Sequence, residues 1–217
     1  MKAFLFDLNG TMIDDMDFHT DAWHEILNQD LGAKLSREDV KKEMYGKNHE
    51  LLVRVFGDER FTEAEKDEIS FEKERRYQSR FKPHLKLIDG LDVFLEKADA
   101  KGIKMAIGSA AITSNVDFVL DGLNIRKYFP VVINADHVNV SKPDPETFIK
   151  GAEAFGIEAA DCVVFEDNPN GVEAARRAGM KCVVLTTMHE EHEFEGLDNI
   201  IVFVKDYTDP FFEDFLS

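Results

Sequence analysis

The chain is 217 residues long and 44% apolar, with 18 Phe, which suits one large or two small domains around a substantial buried core. Its formal charge of -17 disfavours nucleic acid and anionic membrane as partners, because both would repel it before any contact formed. Phosphate chemistry in so acidic a chain needs a local exception, built from a few placed cations, a metal and backbone N–H groups.

Met1-Lys2 leads directly into an apolar run, with no basic segment, apolar stretch and small-residue cleavage site ahead of it. No window approaches the roughly 18 uncharged apolar residues of a membrane span. A soluble, cytoplasmic protein is expected. Phe4 to Leu8 reads as a first strand. From about Asp15 to Lys82 the apolar spacing predicts helices without intervening strands: Phe18 to Leu31, Arg37 to Tyr45, His49 to Phe56 and Glu63 to Phe81. Pro83 marks a return linker, and from about Gly90 helices and strands alternate. Leu91 to Ala100, Thr113 to Leu123, Pro145 to Phe155 and Val172 to Ala178 read as helices. Ile103 to Ile107, Val131 to Ile133, Cys162 to Phe165 and Cys182 to Leu185 read as short strands of continuous apolar residues, the pattern of a sheet covered on both faces. The fold class is therefore α/β, a doubly wound, Rossmann-like parallel sheet with an α-helical cap domain inserted after strand 1. Residues 1–14 and 83–217 form the core domain in this division, and residues 15–82 the cap, placed to act as a lid over the C-terminal edge of the sheet. Cys162 and Cys182 are expected to be reduced and buried, and the acidic segment from His189 to Glu195 to be a solvated loop.

The string Phe4-Leu5-Phe6-Asp7-Leu8-Asn9-Gly10-Thr11 carries the chemistry. A strand ending in Asp and followed by a Gly-containing turn puts a carboxylate at the carboxyl end of a buried strand, where open α/β sheets keep reactive groups. Asp7 is the candidate nucleophile. A second Asp two residues on would protonate a leaving oxygen and later deprotonate water; Asn9 does neither. Taken alone, Asn9-Gly10 between Phe4 to Leu8 and Thr11 to Ile13 is also a two-residue hairpin signal. Ser109 and Lys142 taken alone are ordinary loop residues, and Glu166-Asp167 before Pro169 is an ordinary helix start.

Together, four segments in order resemble the haloacid dehalogenase superfamily, in its β-phosphoglucomutase-like branch, over essentially the whole chain. The first motif, Asp-x-Asp-Gly-Thr, is met by Asp7, Gly10 and Thr11 and missed at Asn9. The second, a Ser or Thr closing a strand, is met by Ser109; the third, a Lys, by Lys142; the fourth, an acidic pair, by Glu166-Asp167. The resemblance implies an aspartyl-phosphate on Asp7 and a Mg²⁺ held by Asp7, Asp167, the main-chain carbonyl of Asn9 and Glu166, directly or through water. It implies that Lys142 screens the anionic phosphate from Asp7, and that Ser109, Thr11 and the N–H of Ala110 sit around the phosphate oxygens. In the cap, His19, Trp23 and Lys73 resemble substrate-facing positions, as does His49 in the segment Tyr45-Gly46-Lys47-Asn48-His49-Glu50. The mutases of this branch carry an Arg where His49 stands and a Lys where Ile112 stands, both serving a second phosphate. Neither His nor Ile replaces them.

The expected function is a Mg²⁺-dependent phosphohydrolase of a small phosphorylated metabolite, with acid–base chemistry impaired at Asn9. The alternatives are a sugar phosphomutase and, in a different class, a low-activity sensor that binds a phosphometabolite. The expected partner is the small phosphorylated substrate alone, with no nucleic acid or membrane and a monomeric state.

Overall fold

A computed structural model describes residues 1–216, which divide into two compact units, Asp15–Leu85 and a second made of Met1–Asp14 with the chain from Lys86 onward. The second unit holds a six-stranded, all-parallel sheet in the order β3-β2-β1-β4-β5-β6. Its strands are β1 (Ala3–Phe6), β2 (Lys104–Gly108), β3 (Val131–Ile133), β4 (Cys162–Glu166), β5 (Lys181–Leu185) and β6 (Ile200–Val204). The connecting helices are α5 (Leu91–Ala100), α6 (Thr113–Gly122), α7 (Glu146–Phe155) and α8 (Pro169–Arg177), with α9 (Phe211–Phe215) closing the chain. This is the doubly wound α/β fold read from the sequence. The order reverses at β1, whose neighbours β2 and β4 lead outward in opposite directions. That reversal opens a crevice at the carboxyl ends of β1 and β4, the usual ligand position in such sheets.

All four residues of β1 and all five of β4 are buried, so each strand serves both faces. Ala3 and Leu5 pack with Phe148, Ala152, Cys162, Val164 and Val172 on one face. On the other, Phe4 and Phe6 meet Phe165 at ring-centroid distances of 5.2 and 4.5 Å, and Phe94 of α5 stacks on Phe4 at 5.6 Å. An aromatic layer therefore fixes the two central strands whose ends bear the reactive residues. Burial pushes the Cys182 thiol well above its usual range, and burial with the nearby Asp161 takes Cys162 up to about 11, so both thiols are inert.

The Asp15–Leu85 unit contains α1 (Met16–Glu25), α2 (Arg37–Glu43), α3 (Asn48–Phe56) and α4 (Glu63–Phe81). Trp23, Ile26, Leu27, Val40, Leu51 and Leu52 form its core. Thr62 and Glu65 cap α4 reciprocally: Glu65 Oε2 accepts from the Thr62 N–H at 2.8 Å and Thr62 Oγ1 accepts from the Glu65 N–H at 3.3 Å.

Two expectations change, and one alternative drops out. The first cap helix ends at Glu25 and continues as a π-helical turn over Ile26–Asp30. The acidic segment after β5 is not only a solvated loop, because Glu191–Phe194 form a 3₁₀ turn that drives Phe194 into the core. No two-residue hairpin forms at Asn9-Gly10. A type I′ turn needs positive φ at both central residues, and among the described non-glycine residues only Asn124 has one. Gly10 alone is left-handed, and the chain closes instead through Met12 N–H to Leu8 O at 2.8 Å and Gly10 N–H to Ile13 O at 2.8 Å. Among the described residues no helix is long and apolar enough to cross a membrane.

Phe165→Ala should cost the core about 3–5 kcal/mol in chemical denaturation, because it removes the ring that both Phe4 and Phe6 pack against. Phe71→Ala, at a position 64% exposed, should change stability by no more than about 0.5 kcal/mol.

Candidate active site

The site is assembled at the carboxyl ends of β1, β2 and β4. Asp7 follows β1 directly, its N–H donating to Phe165 O of β4 at 2.9 Å, and it is buried. Lys142 arrives from the turn between β3 and α7 and donates to Asp7 Oδ1 at 2.6 Å and to Glu166 Oε1 at 2.7 Å. Its ammonium also lies 4.7 Å from the Phe148 ring centroid. Burial alone would lower the Lys142 pKa, but the charges of Asp7 and Glu166 outweigh it and hold the ammonium above its ordinary value. Lys142 is therefore a permanent cation here.

Glu166 spends both carboxylate oxygens inside the protein. Oε1 accepts from Lys142, and Oε2 accepts from the N–H groups of Asp167 at 2.9 Å and Asn168 at 2.8 Å. Its role is to hold Lys142 and shape the loop after β4 more than to offer a direct metal bond. Space for it comes from Gly171 in the first turn of α8, where an added Cβ would lie 1.8 Å from Glu166 Oε1. Gly10 makes the matching space for Asp167: a Cβ there would lie 2.1 Å from Asp167 Oδ2. Two glycines thus let both acidic side chains approach backbone more closely than any other residue would allow.

Thr11 is fully buried, with its hydroxyl 3.4 Å from Asp167 Oδ1, a long contact. Ser109 closes β2, next to β1, and its Oγ accepts from the Ala111 N–H at 3.1 Å, which leaves the hydroxyl hydrogen to donate. Ala110 lies in that bend, partly exposed. The loop at Asn9-Gly10 is tied by residues that follow β5 and β6: Thr187 donates to Gly10 O at 2.6 Å and Tyr207 to Thr11 O at 3.1 Å.

Asp7 and Glu166 share one ammonium, with Asp167 as a third carboxylate beside them. Burial above all raises Asp7 to about 7, with the Lys142 charge opposing the rise and the Glu166 charge adding to it. Burial and the charges of Glu166 and Asp7 push Asp167 well above the usual range. A divalent cation fits this need, and the donors suit a hard one: carboxylate oxygens of Asp7 and Asp167 with the Asn9 carbonyl. Among the described residues no three His, Cys, Asp or Glu side chains are already gathered as a metal site.

In the Asp15–Leu85 unit, Lys73 Nζ lies 2.6 Å from His19 Nδ1 and donates to Glu74 Oε1 and Oε2 at 3.0 and 3.1 Å. An ammonium only donates, so Nδ1 accepts and the imidazole carries its hydrogen on Nε2, 3.3 Å from Asp15 Oδ2. Tyr77 stacks on His19 and also donates to Asp15. Trp23 belongs to the cap core, with its ring 5.4 Å below the Lys73 ammonium. His49 turns away from this cluster: its ring pairs with Glu63 at 3.3 Å and Asp67 at 3.0 Å, about two helical turns before Glu74 on α4. Its neighbour Asn48 faces the cluster instead, donating to Glu74 at 2.7 Å.

The sequence reading marked Asn48 only as part of its segment and had no place for Glu74, Thr187, Tyr207 or Gly171. Only Gly171 left a signal, as a glycine in the first turn of a helix directly after the acidic pair.

Residues 4–185 match the haloacid dehalogenase-like hydrolase family, and the chain belongs to it. Within it, the chain stands in the β-phosphoglucomutase-like branch. The β-phosphoglucomutase of Bacillus subtilis (strain 168) is 31% identical, the match covering 84% of this chain and 82% of that protein. The fructose-1-phosphate phosphatase YqaB of Escherichia coli (strain K12) is 28% identical over 83% of this chain and 94% of its own. The crystal structure of β-phosphoglucomutase from Clostridium difficile aligns with a TM-score of 0.85 at 25% identity, covering 99% of this chain and 95% of that one.

Gly171→Ala tests the packing of Glu166. In an ordinary helix the change would stabilise by about 0.5–1 kcal/mol. Here the added methyl displaces the carboxylate that anchors Lys142, so the melting temperature should fall; a rise would show that Glu166 is not held there.

Proposed function

We propose that this protein is a Mg²⁺-dependent phosphohydrolase of a small phosphorylated metabolite, with Asp7 as nucleophile and with proton transfer weakened by Asn9. The observation that carries this reading is the Lys142 ammonium, 2.6 Å from Asp7 and 2.7 Å from Glu166 at the mouth of the sheet crevice. Phosphoryl transfer consists mainly of positioning and charge neutralisation. Lys142 favours the ionised form of the nucleophilic carboxylate, aims it, and offsets its repulsion of an incoming phosphate. The Ser109 hydroxyl and the Ala110 N–H serve the equatorial oxygens from the end of β2. A bound Mg²⁺ would neutralise the phosphate charge. Asp7 and Asp167 would hold it together with the Asn9 carbonyl, which a side-chain change at Asn9 leaves in place.

The phosphomutase reading draws support from the 31% identity to a β-phosphoglucomutase. The charges in the cap weigh against it. Lys73 spends its donors on His19 and Glu74, and the cluster carries Asp15 and Glu74 against that single ammonium. His49 is engaged by Glu63 and Asp67. No cation is set aside at these positions for the second phosphate that a mutase must hold, so hydrolysis is the better reading, as in the fructose-1-phosphate phosphatase relative.

Loss of general acid–base help costs about 10²–10⁴ in rate, or roughly 3–5 kcal/mol at about 1.4 kcal/mol per decade. Asn9→Asp should therefore raise kcat/KM on sugar monophosphates by about 10²–10⁴ in steady-state assays with Mg²⁺. An unchanged value would show that position 9 does not handle the proton.

A further inference from the structure

We infer that Thr187, in the turn after β5, is a positioning residue for the divalent cation: its hydroxyl holds the Gly10 peptide so that the Asn9 carbonyl keeps its direction. The inference rests on the proposed Mg²⁺ set of Asp7, Asp167 and the Asn9 carbonyl, and concerns what keeps the main-chain member of that set in place.

A carboxylate ligand is aimed by its own side-chain rotamer, whereas a carbonyl ligand is aimed by the backbone on either side of it. The Asn9 carbonyl shares a peptide with the Gly10 N–H. That peptide is trans and planar, so its two polar groups point in opposite directions, and the Gly10 N–H bond to Ile13 O at 2.8 Å sets which way the Asn9 carbonyl faces. The next link is the weak one. Position 10 has to be glycine, because φ there is +74° and an added Cβ would lie 2.1 Å from Asp167 Oδ2. Glycine restrains its own backbone less than any other residue. The close approach of Asp167 thus removes the local stiffness that a side chain would provide.

Thr187 restores that stiffness from another part of the chain. Its Oγ1 donates to Gly10 O at 2.6 Å, so the peptides on both sides of Gly10 are held, one by Ile13 and the other by Thr187. The bond links the loop after β1 to the turn after β5, although β4 lies between those strands in the sheet. The same turn also meets the loop after β4. Asn168 Oδ1 accepts from the Asn170 N–H at 2.9 Å, so the Asn168 amide turns its NH₂ toward His189 Nε2 at 3.2 Å. Residues 187–189 therefore hold both the loop that carries the Asn9 carbonyl and the loop that follows Asp167. The adjacent hydroxyl, on Thr186, serves the sheet instead, donating to Val204 O of β6 at 3.3 Å.

The test is isothermal titration calorimetry of the whole, substrate-free protein with MgCl₂ alone. Thr187→Val keeps the shape of the side chain and removes the hydroxyl. It should bind Mg²⁺ about 10–100-fold more weakly than wild type, the usual effect of losing a group that orients a metal ligand. Thr187→Ser returns the donor and should bind as wild type does. Thr186→Val loses a hydroxyl one residue away and should also bind as wild type does, which separates positioning from a general loosening of the turn. The inference is overturned if Thr187→Val binds Mg²⁺ as tightly as wild type, or if Thr187→Ser or Thr186→Val weakens binding as much as Thr187→Val. In each of those cases the Mg²⁺ reading survives. Should Thr187→Val fail to fold, Thr187→Ala takes its place under the same criteria. A wild type that binds no Mg²⁺ would overturn the metal reading and the inference together.

Discussion

The site depends on one buried ammonium shared by two carboxylates. Lys142 bridges Asp7 at the end of β1 and Glu166 at the end of β4, and so joins the two strands between which the sheet reverses direction. Removing one partner from such a buried pair costs about 3–5 kcal/mol, because the other charge is left in a medium that cannot solvate it. The arrangement is short of positive charge, with Asp167 as a third carboxylate beside the pair. A scaffold serving stability alone would place apolar residues there. Three carboxylates around one ammonium suit the cation and phosphate of the proposed function.

Around this pair, small residues set the geometry as much as charged ones do. Gly10 and Gly171 exist as glycine because Asp167 and Glu166 occupy the space a side chain would need. The aromatic layer of Phe4, Phe6, Phe94 and Phe165 holds β1 and β4 rigid beneath them. In the proposed function, binding and proton transfer separate. The nucleophile, the fixed cation and the backbone donors would not involve the side chain at position 9, whereas protonating a leaving oxygen and activating water would.

Much of this was legible in the sequence because the fold places chemistry at strand ends. Short apolar runs closed by Asp7, Ser109 and Glu166-Asp167 announce strands and site at once, and β1, β2 and β4 lie side by side as that requires. Lys142 was legible only through its resemblance, since a Lys before Pro143 says nothing by itself about a contact across 135 residues of chain. The tethers from Thr187 and Tyr207 were not legible, because they come from a loop and a C-terminal segment whose pairing with Gly10 and Thr11 is set by the sheet order. His49 stands apart from the Lys73 cluster for a local reason: the motif spacing marks the segment, but helix α3 turns Asn48 toward Glu74 and leaves His49 to Glu63 and Asp67. The hairpin signal at Asn9-Gly10 gave way because Asp167 and Ile13 fix Gly10 in a different turn.

The charge shortage at Asp7 is the most exposed part of this account. A raised carboxyl pKa means that the folded state keeps a proton the unfolded chain releases, so metal-free stability declines as pH rises from about 4 toward 7. The direct measurement is an NMR titration of the Asp7 side-chain carboxyl carbon, with and without Mg²⁺. The expected midpoint is near 7 in the metal-free protein, with a clear fall when Mg²⁺ is added, because the cation favours the ionised form. A midpoint near the ordinary value of about 3.9 that does not respond to Mg²⁺ would contradict it.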